Sequence, residues 1–414
     1  MVERNNMREA LKRVEKNDGA PGVDGMGTKD LRPFLQQHWD RIRTELLNGT
    51  YEPQPVRRVE IPKPQGGKRL LGIPTVLDRL IQQALSQILT PIFDPEFSPS
   101  SYGFRPGKRA HDAVKAARGY IEEGYAWVVD VDLAQFFDRV SHDILMARVA
   151  RKVQDKRVLR LIRRYLQAGA MLGGVKVRTE EGTPQGGPLS PLLANILLDD
   201  LDKELEGRGH RFARYADDCN VYVRSKRAGE RVLKSMRRLL EDRLKLKVNE
   251  EKTAVDRPWK RKFLGFSFLP GKRVRIRLAP KTKERFAAKI REITNRTKPL
   301  APAERIRRLN EYLGGWLGYF RLAETPSVFA EMDEWTRRRL RMCLWKQWKR
   351  GKTRYRELRR LGLKPGPARD GAGTQAGPWR AAHIPQMHKA LGLAYWRAQG
   401  LKGLKERLEP TRSA

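Results

Sequence analysis

The sequence predicts an α+β chain, and three observations predict it. Short β-type runs alternate with helical patterns over the first 280 residues. From about Lys281 the apolar spacing is helical throughout. A hydrophobic fraction of 39%, with nine Trp in 414 residues, supplies enough apolar surface for a core. At roughly 150 residues per domain, this length corresponds to two to four domains.

The elements follow in order. Residues 1–50 read as helices joined by the Gly-rich turn NDGAPGVDGMG, with Thr28 as N-cap of a helix through Trp39 and Leu46. PVRRVEIPKPQGGKRLLGIP reads as two strands around a Pro-Gly-Gly turn. Asp78 to Leu89 is helical, with Leu80, Ala84, Leu85 and Ile88 on one face. FSPSSYGFRPGKRA is loop, and Trp127 to Leu133 is a buried strand. Asp143 to Ala168 reads as one basic helix, and TPQGGPLSPLLANILLDDLDKEL as a loop feeding another. HRFARYADDCNVYVRS is a hairpin with an acidic tip, followed by a helix over roughly 228–244. FLGFSFLPGKRVRIRLAP is again β. Ile306, Leu309, Leu313, Trp316, Leu317 and Phe320 then repeat at helical spacing, and Thr325-Pro326 starts a further helix. LKPGPARDGAGTQAGP reads as a linker or long loop before a last segment.

Two cysteines and the absence of CxxC exclude a disulfide framework and an all-Cys zinc site. The sequence has no run of 18 apolar residues, and its start lacks the apolar core of a secretory signal, so a soluble cytosolic chain is expected. The net charge of +38 calls for a polyanionic partner, because it repels itself in the compact state. Residues 281–414 carry 32 basic and 12 acidic residues and six of the nine Trp. Aromatics interleave with the charge instead of forming one apolar stripe, which favours nucleic acid over a membrane surface.

Against this basic background, acidic pairs need a reason. Asp217 and Asp218 sit at the tip of the expected hairpin, where an ordinary polar turn is the simple alternative. Asp130 and Asp132 lie in the apolar run WVVDVDLAQFF, two apart and therefore on one strand face. A carboxylate in such a setting is costly unless paired or bound to metal. A strand-borne Asp with a hairpin-borne pair is what two-metal phosphoryl transfer requires.

Here a resemblance becomes specific. Tyr215-Ala216-Asp217-Asp218 resembles the YxDD motif of reverse transcriptases, Asp132 in DLAQFFD their first metal-binding aspartate, TPQGGPLSP the PQG block and FLGF the primer-grip strand. APGVDG, YGFRPG and the helical WLGYF resemble bacterial group II intron reverse transcriptase/maturases. The resemblance runs from about residue 10 to the chain's end, and the motifs come in the family's order. The length resembles the compact class C branch without an endonuclease domain, so no endonuclease activity is expected.

The resemblance implies a right-hand polymerase: N-terminal extension and fingers over 1–112, palm with remaining fingers elements over 113–280, helical thumb or maturase X domain over 281–365, and a small DNA-binding domain over 366–414. It implies that Asp132, Asp217 and Asp218 are catalytic and hold two Mg²⁺, for which Mn²⁺ can substitute. Asp130 is an alternative for Asp132, which is preferred because the family spacing to Phe137 then fits. Phe137 matches the ring under the incoming sugar that disfavours a 2′-OH. Lys63 and Arg69 match residues that hold the triphosphate, with Lys68 close enough to be confused with them. Gln185, Gly186 and Gly187 match the block beside nucleotide and template. Lys252 matches a lysine near the triphosphate that can act as general acid. Leu264 and Gly265 match the primer grip.

The basic helix beyond Trp335 is expected to face a duplex or intron RNA through Arg337, Arg338, Arg341, Lys346, Lys349 and Arg350. His383 and His388, with no acidic partner nearby in sequence, are expected to be structural. The implied function is RNA-directed DNA polymerisation with assistance to splicing and mobility, in the bacterial cytoplasm at the nucleoid. The implied partners are a group II intron RNA, a template–primer duplex, target DNA and dNTPs. Two alternatives remain: a relative recruited to host defence or repair without an intron, and a binding-only splicing factor.

Overall fold

The computed structural model describes residues 1–62, 68–172, 175–177, 181–182, 186–271 and 273–408, with the side chains of 68, 69, 172 and 175–177 left undescribed. The chain forms two units, Met1–Arg261 and Lys262–Ala414. The hairpin following residue 262 falls in the second unit with the C-terminal helices, whereas the resemblance implies a palm running to residue 280.

In the first unit, α1 (Arg4–Asn17) and α2 (Leu31–Asn48) precede β1 (Val56–Pro62) and β2 (Lys68–Ile73), which pair antiparallel. Thr28 opens a short 3₁₀ turn ahead of α2, and its hydroxyl bonds Asp18 Oδ1 at 2.7 Å, so it does not cap the helix as expected. Helix α3 (Val76–Phe93) starts at Thr75, whose Oγ accepts from Asp78 N. Then come α4 (Ala110–Glu122), β3 (Trp127–Val131), α5 (His142–Val149) and α6 (Lys156–Gln167). The single helix expected over 143–168 is two, because Val153 tucks into the core between them and Asp155 caps the second. Strands β4 (Ala170–Leu172) and β5 (Val175–Val177) extend the first sheet to the order β2-β1-β4-β5.

Helix α7 (Ser190–Gly207) leads to β6 (Arg211–Tyr215) and β7 (Asp218–Val223), then α8 (Lys226–Arg238) and β8 (Ala254–Asp256). The second sheet has the order β6-β7-β3-β8, all antiparallel. Strand alternation gives this sheet two different faces. Val129, Val131, Cys219, Val221, Val223 and Phe212 turn to the main core, with Leu197 and Leu201 of α7 and Val232 and Met236 of α8. Gly229 lets α8 approach closely: a Cβ there would lie 2.5 Å from Val255 Cγ1. The opposite face carries Asp130, which opposes Asn220, and Tyr222, which opposes Val128.

In the second unit, β9 (Phe266–Leu269) pairs with β10 (Arg275–Leu278), and every described element beyond them is a helix. The long helices are α9 (Pro280–Ile293), α10 (Pro302–Phe320), α11 (Pro326–Gln347) and α12 (Gly351–Arg360). Pro326 takes the first helical position of α11, as the Thr325-Pro326 pair predicts. The presumed linker after 363 is instead a helix, α13 (Pro365–Gly373), followed by α14 (Pro378–Ala381), α15 (Pro385–Ala390), α16 (Leu393–Ala398) and α17 (Leu404–Leu408). These short helices are tied to α11 by Asp333, which accepts from Leu404 N and Lys405 N. No described helix is long and apolar enough to cross a membrane.

Candidate active site

The second sheet ends where its chemistry begins. Tyr215 and Asp218 close β6 onto β7, leaving Ala216 and Asp217 as a two-residue turn. Ala216 has φ +57, and Asp217 is not among the positive-φ residues, which matches a type II′ connection. An alanine in this left-handed region is strained, so the surroundings must hold it.

They do so through Arg214, which is fully buried. Its guanidinium donates to Asp202 Oδ1 at 2.7 Å and Oδ2 at 2.5 Å, to Asn195 Oδ1 at 3.0 Å and to Ser101 Oγ at 2.8 Å. It also donates to the Ala216 carbonyl at 2.8 Å. Asn195 and Asp202 stand seven apart on α7, two turns along one face. The 100–103 loop lies along the outer edge of β6: Arg214 N donates to Ser100 O, and Tyr102 N to Arg214 O. Gly103 meets the turn so closely that a Cβ would fall 2.3 Å from Ala216 N. Sequence reading missed this scaffold; its one signal is an arginine inside the otherwise apolar FARY strand.

Asp130 and Asp132 have separate roles. Asp130 is bound by Arg261, with Nε at 2.8 Å and Nη2 at 2.7 Å, and Asn220 donates to its other oxygen at 3.0 Å. Arg261 also holds the Lys252 carbonyl. Asp132 follows the last residue of β3. Its backbone N–H donates to Thr253 Oγ1 at 3.1 Å, and its carbonyl accepts from Asn249 N at 2.8 Å. Its carboxylate faces Lys252 Nζ at 3.5 Å and is 30% exposed. In register Val131 opposes Cys219, so Asp132 emerges beside Asp218 and the turn. Asp132, Asp217 and Asp218 thus share one end of the sheet, and Lys252 joins them.

This donor set is made of carboxylate oxygens, the ligands a hard divalent cation takes. Among the described residues, no three Asp, Glu, His or Cys side chains stand as a ready-made cage. The residue types fit Mg²⁺, with Lys252 the cation that now faces Asp132.

The other expected residues fall around this end or away from it. Phe137 sits on a 3₁₀ turn directly after Asp132, half-buried and edge-on to the core ring of Phe136 at 5.1 Å. Gly182 closes on it, since a Cβ there would lie 3.0 Å from the Phe137 and Asp138 carbonyls, and buried His142 donates to the Gly182 carbonyl at 2.6 Å. Gly186, at φ +137, lies against the fingers-like strand β2, its Cβ position 2.7 Å from Gly72 O. Gly187 is closer still to α3, its Cβ position 2.2 Å from Gln82 Oε1. Lys63 and Gln185 lie outside the described residues, as do the side chains of Lys68 and Arg69.

Leu264 and Gly265 belong to the second unit, at a tight turn with φ +51 and +83. Tyr319 Oη donates to Leu264 O at 3.0 Å, and Thr282 Oγ1 to Gly265 O at 2.7 Å, so α9 and α10 fix this turn. On α11, Lys346 is exposed, as are Lys349 and Arg350 just beyond it; Arg337 is half-buried. Arg338 lies 3.9 Å over the Trp379 ring and donates to its carbonyl. Arg341 corrects the expectation of an RNA contact. It is 2% exposed and donates to the carbonyls of Ala382 and Leu391, so its charge is spent within the fold. His383 and His388 face each other at 3.2 Å, with Arg341 at 3.4 Å from His388.

Comparison with known proteins gives consistent matches. The family model described as reverse transcriptase (RNA-dependent DNA polymerase) matches residues 61–268, and that of the group II intron maturase-specific domain matches 283–362. Protein YkfC of Escherichia coli is 34% identical over 289 residues, which is 60% of this chain and 76% of that protein. Group II intron-encoded protein LtrA of Lactococcus lactis is 40% identical over 195 residues, 47% of this chain and 32% of LtrA. An uncharacterized 91 kDa protein in the cob intron of Schizosaccharomyces pombe is 37% identical over 190 residues, 46% of this chain and 22% of that protein.

Proposed function

The chain belongs to the reverse transcriptase (RNA-dependent DNA polymerase) family and carries a group II intron maturase-specific segment, and from that premise we propose how it works. It extends a primer 3′-OH on an RNA template from dNTPs, and it binds an intron RNA to assist splicing and mobility. The observation that carries the polymerase reading is the trio Asp132, Asp217 and Asp218 at one sheet end, with Asp132 just past β3 and Asp217 and Asp218 at a turn held by a buried arginine.

Asp132, Asp217 and Asp218 would hold the divalent ions. When bound, Mg²⁺ (or Mn²⁺) supplies activation of the attacking oxygen and stabilisation of charge on the leaving pyrophosphate. The chain's own residues do the positioning. Lys252, 3.5 Å from Asp132, is an ammonium within reach of a triphosphate at this site, able to bind it or to give it a proton. Lys63 and Arg69 grip the triphosphate, the guanidinium by a two-pronged contact. Phe137 packs under the sugar, where a 2′-OH would meet its ring. Gln185 and Gly186 lie beside nucleotide and template, where a glycine allows close backbone approach. Leu264 and Gly265 form the primer grip.

Arg337, Arg338, Lys346, Lys349 and Arg350 contribute contacts to duplex or intron RNA, and residues 366–414 contact target DNA. The maturase-specific match supports the intron partner over a role without an intron. The Escherichia coli and Lactococcus lactis relatives support a bacterial setting, and the proposed place of work is the cytoplasm, at the nucleoid.

The test is primer extension with Mg²⁺ and dNTPs on RNA and DNA templates side by side. Extension on RNA is the expected result. Absence of extension on both, with tight RNA binding, would move the function to a binding-only splicing factor.

A further inference from the structure

Phe104 combines three features that no packing requirement explains together. It has φ +59, a left-handed backbone that a bulky aromatic rarely adopts. It is 56% exposed, the most exposed of the large hydrophobic side chains in the described structure. Its loop is nevertheless tightly built. On one side Gly103 abuts Ala216 N, and its carbonyl accepts from Asn195 Nδ2 at 2.9 Å. On the other side Arg105, 7% exposed, donates to Asp94 Oδ1 at 2.7 Å, Asp94 O at 2.8 Å and Ser101 O at 3.1 Å. A strained, exposed ring held from both flanks points to use outside the fold.

Its neighbours say where. The Phe104 ring lies 6.2 Å from that of Tyr215, the first residue of the catalytic turn. Phe104 also borders a cleft of about 720 Å³ between α1 and α3, whose lining includes Asn5, Arg13, Gln87 and Thr90 and one acid, Glu9, which is paired with Lys12. A strand whose end reaches Asp217 and whose body enters that cleft crosses this ring. The lining amides, hydroxyl and guanidinium suit the polar edges and phosphates of a nucleic acid, and the ring suits a base or ribose face.

We propose that Phe104 is a platform on which a nucleotide of the bound template–primer duplex packs, one ring away from the catalytic turn. The assignment rests on the polymerase reading above. It makes Phe104 a binding residue for the nucleic acid, with no part in holding the dNTP.

The test compares Phe104→Gly, Phe104→Ala and Phe104→Tyr with the wild-type chain, by duplex affinity from fluorescence anisotropy, steady-state extension and thermal unfolding. Loss of the ring is expected to weaken RNA–DNA duplex binding roughly tenfold while leaving the KM for dNTP unchanged. Phe104→Tyr keeps wild-type affinity within about twofold. Phe104→Gly, which relieves the left-handed strain, is expected to unfold at a temperature equal to or above wild type while binding the duplex as weakly as Phe104→Ala. Duplex affinity of Phe104→Gly within twofold of wild type overturns the proposal. So does a fall in its unfolding temperature that parallels the loss of affinity, since that marks a structural ring. If the wild-type chain binds duplex but extends nothing, the polymerase reading fails, and the affinity ratios still decide the role of Phe104.

Discussion

Arg214 is the residue that ties the Ala216-Asp217 turn to its surroundings. One side chain connects α7, the 100–103 loop and the Ala216 carbonyl, all without solvent contact. Removing one partner of a buried ion pair leaves the other charged and unpaired, at a cost of about 3–5 kcal/mol. Arg214→Met should therefore lower unfolding stability by about that amount in denaturant titration. A change under about 1 kcal/mol, the range of an exposed pair, would contradict this account. The sequence made Asp217 and Asp218 conspicuous, because they sit at the tip of an expected hairpin within a YxDD motif. It could not make Arg214 conspicuous, because it is one of 86 basic residues. Residue chemistry alone left Asp130 and Asp132 equivalent, two apart in one apolar run, and only the family's spacing to Phe137 favoured Asp132. Their separation comes from Arg261, 131 positions beyond Asp130, and from the turn carrying Lys252 and Thr253.

At the scale of elements, α7 brings three polar groups into the core side of the second sheet. Asn195 and Asp202 serve Arg214, while Asp199 is held by burial, and then by the nearby Asp202, up at about 6. The folded chain keeps on Asp199 a proton that the unfolded chain releases near pH 4. The stability from this group is fully present below about pH 4 and is lost as pH rises to about 6. Asp199→Asn should remove that slope, so its unfolding temperature exceeds wild type more at pH 7 than at pH 4. An equal difference at both values would refute the assignment. Element types were legible wherever periodicity was strong, as in β6–β7 and α10. They were misread where a single residue decides the outcome. Val153 anchors a break between α5 and α6. Pro365 starts α13, in which buried Ala368, Gly371 and Ala372 allow close packing; a Cβ on Gly371 would lie 3.1 Å from Leu358 Cδ1.

The whole molecule divides its chemistry between two units. The carboxylates lie in the first, and the denser basic charge lies in the second, where 32 basic residues face 12 acidic ones after residue 280. Total charge was legible in the sequence, but the use of each arginine was not. Arg341 serves helix packing, whereas Lys346, Lys349 and Arg350 remain exposed. Binding driven by phosphate neutralisation releases counterions, so RNA affinity should fall about 10³-fold or more between 50 and 200 mM salt if six or more phosphates are contacted. A nearly flat dependence in a filter-binding titration would contradict the charge argument.

The central claim is that Asp217 carries catalysis while RNA binding resides elsewhere. The most direct measurement sets wild type beside Asp217→Asn, scoring single-nucleotide extension on an RNA template and RNA affinity on the same preparation. The account predicts loss of extension by at least about a thousandfold, of the order that electrostatic transition-state stabilisation supplies, with RNA affinity within about twofold. Extension near the wild-type rate in Asp217→Asn would contradict it.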